Sequence, residues 1–297
     1  MLIIQMSGGL GNQMFQYALY LKLKKLGRTV KFDDETTYAL DNARPIQLAV
    51  FGLSYPSASD SEIRDITDSY MDLSSRLRRR FTGRHSLEYF EKDGRFDPHI
   101  LEMKDGYLVG NFQSEKYFID IRDDVYSAFR FDTLTFSDAA KDMKKRILES
   151  SGDPVCIHVR RGDYLTSNRV YGGICTDAYY NAAMEYMRER HPGCVFYLFT
   201  DDSYWAESFV ESHSDMEVVP VTFSEEYTGY QDMYLISRCR HHIIANSTFS
   251  WWGWWLRRER DGEVIAPSRW LNNDRCADIL TDEMIRIDGK GGIVGRE

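Results

Sequence analysis

Several features that would point to one class of protein are missing from this 297-residue sequence. Its five cysteines are odd in number and far apart, which indicates neither a disulfide framework nor a C-x-x-C metal site and favours a reducing compartment. No apolar run approaches the roughly 18 residues of a membrane span, and the short apolar start lacks the basic region of a signal peptide. We therefore expect a cytoplasmic protein.

A general excess of positive charge is missing as well. Lys and Arg number 37 against 46 Asp and Glu, so the formal net charge is −9 and the pI is about 5.4. Because nucleic-acid phosphates require a basic face, we expect no nucleic-acid partner. The exception is residues 76–84, which hold five arginines and which we interpret as a solvated basic face. The alternative is attraction to an acidic substrate or to anionic lipid, which would bring the protein to the inner face of the membrane.

Strand and helix patterns alternate along much of the chain. Residues 2–32 predict a strand, a glycine turn, a helix and a second strand, and from residue 155 five apolar strands alternate with helices. This alternation predicts an α/β fold with parallel sheets covered on both faces. A linker at residues 150–154 predicts two Rossmann-like domains, 1–150 and 151–297, whose strand ends face a cleft. Residues 35–150 give no clear pattern.

The first turn, residues 7–13, is rich in glycine. Gly9 and Gly11 allow the backbone to approach a ligand closely at the start of a helix. The third glycine of a dinucleotide site and the Gly-Lys-Ser/Thr of a phosphate loop are both absent. The turn is therefore either structural or a binding loop, in which the amides of Asn12 and Gln13 would contact sugar hydroxyls.

Charged residues follow two of the predicted strands. His158 ends one strand, and Arg160, Arg161 and Asp163 come directly after it. Two arginines at a strand end favour phosphate, because guanidinium binds it through two parallel hydrogen bonds. The alternative is an ordinary surface pair between arginine and aspartate. At the end of the next strand, residues 201–202 are both aspartate, suited either to a nucleoside or to capping a helix.

A third junction, at residues 246–250, places Ser247 and Thr248 at the start of a helix, where hydroxyl and N–H groups favour an anion. The four tryptophans within residues 251–255 predict core packing. The adjacent His241 and His242 would lie on opposite faces of a strand and could not ligate one metal ion. We find no His/carboxylate cluster at metal spacing and no Asp-x-Asp triplet, so no metal site is expected.

Three of these stretches together resemble the α-1,2-fucosyltransferases of glycosyltransferase family 11, bacterial members especially. They are residues 8–18 (GGLGNQMFQYA), 158–164 (HVRRGDY) and 246–252 (NSTFSWW). The resemblance implies a GT-B-like fold and GDP-β-L-fucose as donor. It also implies an inverting transfer that forms an α-1,2 linkage to the galactose of a glycan acceptor, with neither a metal ion nor another cofactor.

The resemblance also implies roles for individual residues. Donor binding falls to Arg160, Arg161, Asp201, Asp202, Asn246, Ser247, Thr248, Phe249 and Ser250, with Arg160 on the β-phosphate. The acceptor side comprises Gly9, Gly11, Asn12 and Gln13, with Asn12 between donor and acceptor. His158 and Asp163 are the candidate bases.

Other functions stay open at this stage. A different fucosyl linkage or another GDP-sugar is the nearest alternative. A nicotinamide oxidoreductase would need Asp33 or Asp34 as its acidic residue after the second strand and lacks the glycine pattern. A carbohydrate-binding protein without catalysis would have little use for arginines at a strand end.

Overall fold

The computed structural model describes residues 1–40, 45–162, 170–221, 229–273 and 276–295. The chain forms two compact units, Met1–Arg130 and Phe131–Glu297. Both are α/β units built on sheets whose central strands are parallel. The predicted α/β fold class, with parallel sheets in two units, is confirmed.

The first unit has a four-stranded parallel sheet with the strand order β2-β1-β4-β3. Its strands are β1 (Leu2–Gln5), β2 (Val30–Asp33), β3 (Glu88–Phe90) and β4 (Gly106–Val109). Its helices are α1 (Leu10–Lys25), α2 (Thr36–Leu40), α3 (Asp60–Thr67), α4 (Leu73–Thr82), α5 (His99–Glu102) and α6 (Arg122–Ala128). Helix α1 is buried around most of its circumference, and it ends where Gly27 takes a φ of +76°.

The second unit has a seven-stranded sheet with the order β11-β10-β9-β8-β5-β6-β7, parallel except for β11. Its strands are β5 (Pro154–Val159), β6 (Val195–Thr200), β7 (Val218–Val221), β8 (His241–Ile243), β9 (Val264–Pro267), β10 (Met284–Ile287) and β11 (Ile293–Val294). Its helices are α7 (Asp138–Leu148), α8 (Asp177–Arg190), α9 (Ser203–Ser212), α10 (Gly229–Ile236) and α11 (Thr248–Trp255).

Residues 131–150, which the sequence assigned to the first domain, pack in the second unit. The Ser137 side chain caps α7, and its N–H and hydroxyl both donate to Gln231 Oε1, at 2.8 and 3.0 Å. Ile147 lies in a buried cluster with Leu235 and Ile236. The boundary between the two units at 130/131 therefore lies upstream of the polar linker at 150–154. The reason is that α7 packs against α10 and contributes to the core of the second unit.

The tryptophans of α11 are core residues, as predicted: Trp251, Trp252, Trp254 and Trp255 are all buried. Gly253 lies against α10, where an added Cβ would be 2.4 Å from Ile236 Cγ2. The Trp251 indole donates to the Ile279 carbonyl at 2.9 Å. Close packing thus fixes the start of α11 beside the end of β8.

The order β8-β5-β6 brings the carboxyl ends of three neighbouring parallel strands to one edge of the second sheet. Doubly wound sheets bind ligands at this edge. Among the residues that the structure describes, no helix has the length and apolar character needed to span a bilayer.

Candidate functional site

The loop after β5, residues 160–162, is here called the arginine loop, and the Asp201 carboxylate holds it in place. One oxygen of the Asp201 carboxylate accepts from the Arg161 N–H at 2.9 Å. The other lies 2.9 Å from Arg160 Nη1 and accepts from the Gly162 N–H at 3.2 Å. An added Cβ on Gly162 would be 2.9 Å from that second oxygen, which explains the glycine. One carboxylate therefore fixes the loop backbone and orients the first guanidinium.

The neighbouring carboxylate has a different task. Asp202 caps α9 by accepting from the Trp205 N–H at 3.0 Å, and its other oxygen accepts from Arg161 Nε, also at 3.0 Å. These two contacts, the helix N–H first, lower the pKa of Asp202. The Arg161 guanidinium also lies over the Trp205 ring, 5.0 Å from its centroid. Asp202 and Trp205 thus hold Arg161 as a positioned cation.

The start of α11 carries no side-chain cap. Ser247 is the N-cap residue, yet its hydroxyl accepts no bond from the first turn, and that turn contains no acidic residue. The N–H groups at the start of a helix have no partner within the helix and carry a partial positive charge. Residues 248 and 249 are half-buried, whereas the Ser250 hydroxyl is buried against the carbonyls of Ala245 and Ser247. This helix start can receive an anion through its main chain.

Asn246 has a structural task that the sequence did not reveal. Its amide nitrogen donates to the carbonyls of Tyr171 and Trp270, at 3.0 and 3.1 Å, and its side-chain oxygen faces Cys175 Sγ at 3.5 Å. Both amide hydrogens are therefore used within the protein. The residue joins the segment after β8 to the chain near residue 171.

His158 lies beneath the arginine loop and is nearly fully buried. Its ring packs against Phe249 at 5.7 Å, and the buried Nδ1 has no hydrogen-bond partner among the described residues. Burial, and secondarily the charge of Arg160, lower its pKa to about 4. The imidazole is consequently neutral at pH 7 and a weak base there.

An open cavity of about 310 Å³ lies at this edge of the second unit. It contains three of the predicted donor residues, Arg160, Arg161 and Asn246. The rest of its lining was not predicted from the sequence and comprises Val159, Tyr171, Gly173, Cys175, Thr176, Asp177, Tyr180, Trp205 and Ala245. Trp205 could have been anticipated, since it falls in the first turn of the helix that follows residues 201–202. Asp163 lies outside the described residues.

In the first unit, residues 7–13, here called the glycine loop, are held by neutral amides. Gln13 is fully buried, and its amide donates to the Gly8 carbonyl and to the Tyr38 hydroxyl, both at 2.9 Å. Gln16, which the sequence analysis did not single out, is also fully buried and accepts from the Ser7 N–H at 3.1 Å. Gln13 is therefore a structural residue of the loop rather than an exposed sugar-binding group.

Asn12 is the half-buried amide of the glycine loop. Gly8 has a φ of +74°, and an added Cβ there would be 2.4 Å from Asn12 Nδ2. Gln113 Nε2 donates to Asn12 Oδ1 at 2.9 Å. Gly8 and Gln113 therefore hold the Asn12 side chain in one orientation. Within the described part of the chain Asn12 Nδ2 has no acceptor, so this nitrogen can donate to a ligand. Gly9 precedes α1 without a side-chain cap, and Gly11 is buried in its first turn.

The opposite edge of the second sheet brings together three residues far apart in sequence: Asp153, His191 and His241. Their ligand-type atoms lie within 4.8 Å of one another, a grouping that sequence spacing could not reveal. However, His241 Nδ1 accepts from the Glu263 N–H at 3.0 Å, so the proton of the neutral ring sits on Nε2. That nitrogen is the one facing Asp153, at 3.7 Å. A protonated nitrogen does not ligate a metal, and the arrangement is that of a partly buried polar cluster.

Taken together, the second unit is a doubly wound α/β unit with two positioned guanidiniums and an uncapped helix start at one sheet edge. This is the class of site that receives a phosphorylated ligand. The sequence pattern of glycosyl transferase family 11 matches residues 1–288, and the chain belongs to that family. It is a glycosyltransferase.

Two individual relatives match nearly the whole length of the chain, and a third matches most of it. The O-antigen biosynthesis glycosyltransferase WbnK of Escherichia coli is 31% identical over 306 residues, covering 95% of this chain and 99% of that protein. An alpha-1,2-colitosyltransferase, also from Escherichia coli, is 30% identical and covers 96% and 98%. Galactoside alpha-(1,2)-fucosyltransferase 1 of Ateles belzebuth is 28% identical, over 84% of this chain and 63% of that protein.

Proposed function

We propose that this protein transfers L-fucose from GDP-β-L-fucose to the 2-hydroxyl of a terminal galactose on a glycan, with inversion at the anomeric carbon. The observation that carries the proposal is the cavity edge with Arg160 and Arg161 held in place. Such an arrangement suits a nucleoside diphosphate, whose charge must be balanced in the bound state and more strongly as it leaves. The α-1,2 linkage rests on the names of two relatives.

A second donor has its own support. The colitosyltransferase relative covers nearly the whole chain at 30% identity, whereas the fucosyltransferase relative is 28% identical over a shorter part. A GDP-sugar that carries colitose in place of fucose is therefore the second candidate. Both candidates need the same nucleotide site and differ only in the sugar.

The ion pair between Arg160 and Asp201 explains how the site can exchange one anion for another. The side chains are 30% and 25% exposed, so the pair is partly screened by water and contributes about 1 kcal/mol or less. A β-phosphate can replace the carboxylate on the guanidinium at small cost. Asp201 then still accepts from the two loop N–H groups, which keeps the arginine loop in shape.

We further propose that the reaction needs no metal ion. The bond between the anomeric carbon and the β-phosphate oxygen breaks as the acceptor oxygen bonds to that carbon, and GDP leaves with the bonding pair. We expect Arg160 and the N–H groups at the start of α11 to stabilise the negative charge that grows on the departing GDP. These groups would do the work that a divalent cation does elsewhere.

The acceptor hydroxyl loses its proton late in this displacement, to water or to a phosphate oxygen of the departing GDP. His158 is unsuited to remove it, because an imidazole with a pKa of about 4 is a poor base at neutral pH. We therefore assign His158 to packing beneath the arginine loop. Asn12, whose Nδ2 is preset by Gly8 and Gln113, is the group that we propose to orient the acceptor.

The test is GDP release from GDP-fucose, with and without lactose, in excess EDTA, followed by linkage analysis of the product. We expect lactose-dependent release that EDTA leaves unchanged, with fucose on the galactose 2-hydroxyl. The matched control is the lactose analogue that lacks this hydroxyl, which should support no transfer. GDP-colitose is run in parallel as the alternative donor.

The outcomes separate the parts of the proposal. Transfer from GDP-colitose alone would replace the fucosyl donor by the second candidate. Transfer that EDTA abolishes and Mg²⁺ restores would refute metal independence. A protein that binds no GDP would refute the nucleotide site itself.

A further inference from the structure

Helix α4 has an unusual orientation, in which its apolar side chains point into solvent. No residue of the helix is buried. Leu73, Leu77 and Phe81 are 72%, 47% and 82% exposed. Since they are spaced four residues apart, they form one stripe along the helix. A surface helix of a globular protein normally turns such a stripe towards the core.

Polar contacts hold the helix in this orientation. Arg79, the least exposed arginine of α4, donates to the Asp68 carbonyl at 3.0 Å and to the Tyr70 carbonyl. Arg78 forms an ion pair with the Asp68 carboxylate, which also accepts from the His85 N–H at 2.9 Å. The helix is thus attached to the first unit through its guanidiniums. Its apolar stripe is left on the far side.

Two further arginines flank the stripe. Arg76 and Arg80 each follow a leucine of the stripe by three residues, which places them beside it on the helix surface. Both are exposed, and neither forms an ion pair with a described residue. From Leu73 to Arg84 the sequence contains no acidic residue. The exposed surface therefore combines apolar side chains with unshared positive charge.

We propose that α4 is a membrane-docking helix that lies in the headgroup region of a bilayer containing anionic lipid. Apolar residues on one face and arginines alongside are what an interfacial helix needs, because the apolar stripe enters the acyl boundary while guanidiniums meet lipid phosphates. The proposal is independent of the sugar donor, since none of these residues lines the cavity of the second unit.

Charge favours lipid over the other occupants of such a surface. The whole chain carries a net charge of −9, yet this helix is purely basic. A second copy docking stripe to stripe would bring two sets of arginines together, and like charges repel. An anionic bilayer offers the opposite charge and an apolar layer at the same surface.

The test is sedimentation of the purified full chain with vesicles of phosphatidylcholine alone or of phosphatidylcholine with phosphatidylglycerol. We expect the wild type to sediment with the anionic vesicles, to release as salt rises, and to stay in solution with neutral vesicles. Arg76→Gln/Arg80→Gln should weaken anionic binding about 25-fold, because each charge contributes roughly a factor of five. Leu77→Ser/Phe81→Ser should weaken it at least tenfold by removing apolar burial.

Helix α7 supplies matched controls, because Lys145, Arg146 and Leu148 are exposed there. Lys145→Gln/Arg146→Gln and Leu148→Ser should sediment like the wild type. All variants should keep the wild-type circular dichroism and thermal midpoint, since none removes a buried side chain.

Three results would overturn the proposal. The first is a wild type that stays in solution with anionic vesicles, and the second is that both α4 variants bind these vesicles as well as the wild type does. The third is a dimer, seen by sedimentation velocity without lipid, that Leu77→Ser/Phe81→Ser converts to monomer, which would assign the stripe to a second copy.

Discussion

The glycine loop and the arginine loop both follow a strand at the carboxyl edge of a parallel sheet, yet they are held by opposite chemistry. Neutral amides, fully buried at Gln13 and Gln16, hold the glycine loop. Ion pairs that are one quarter to one third exposed hold the arginine loop. The first is a permanent structure, whereas the second consists of charges that can change partners.

This difference shows what each loop can do for a ligand. Buried amides with all their bonds made resist rearrangement, because an unpaired buried polar group costs roughly 1–3 kcal/mol. Partly exposed ion pairs rearrange at little cost, because water screens them. A rigid loop with one preset donor suits the positioning of a neutral sugar, and an exchangeable loop suits an anion that arrives and leaves. The predictions below test this division, starting with the largest expected effect.

The arginine loop should be most sensitive at Arg160. In Arg160→Lys the charge stays, but the paired hydrogen bonds of a guanidinium to phosphate are lost. We expect turnover to fall about 100-fold, while GDP affinity falls much less, because the contact matters most as GDP leaves. Steady-state kinetics and calorimetric GDP titration measure the two effects.

A matched control is Arg240→Lys. Arg240 Nη1 lies 2.9 Å from Asp153 Oδ1, the same distance as in the Arg160 pair, but at the opposite edge of the sheet. The turnover of Arg240→Lys should stay within about a factor of two of the wild type, as expected for a surface substitution far from the candidate site. Equal effects of the two substitutions would show that the arginine loop has no special role.

Loss of a buried amide that holds the glycine loop should lower the stability of the protein rather than its turnover. Gln16 makes three hydrogen bonds, with the Ser7 N–H and hydroxyl and with the Gly110 carbonyl. Gln16→Ala leaves these groups without a partner and opens a void, so we expect the free energy of unfolding to fall by about 3 kcal/mol. Gln5→Ala, which removes one bond from a half-buried strand position, should cost about 1 kcal/mol. Urea unfolding followed by circular dichroism gives both values, and similar losses would contradict the division.

The second unit was largely predictable from the sequence because its strands are apolar along their length. One of the five apolar strands predicted after residue 155 is β6, residues 195–200, whose apolar run is nearly continuous because both faces of the strand are covered. The first unit was harder to predict. Strand β3 has three residues, none of them buried, so residues 88–90 show neither a continuous apolar run nor a useful period.

The residue types of the candidate site were predictable from the sequence, but the hydrogen bonds and ion pairs that these residues form were not. Arginines at a strand end and serine at a helix start indicate an anion wherever they occur together. The task of Asp201 depends on the backbone geometry of the arginine loop, which no local pattern encodes. The structural task of Asn246 depends on carbonyls from residues 171 and 270, which are distant in sequence. Gln13 and Gln16, polar residues on an otherwise buried helix, were the one available signal for the bonding of the glycine loop.

The smallest expected effect separates positioning from structure within the glycine loop. Asn12→Ala removes the half-buried donor and one bond from Gln113, so we expect transfer to slow about tenfold while GDP affinity stays near that of the wild type. Asn111→Ala, two residues beyond the neighbouring strand β4, should leave transfer unchanged, because among the described residues its side-chain amide makes a single long contact of 3.4 Å, with Ser7. The transfer rates of the two variants, together with a GDP titration of each, show whether Asn12 positions the acceptor. A parallel loss of GDP binding and transfer in Asn12→Ala would mean that Asn12 only shapes the turn, and the glycine loop would then be structural throughout.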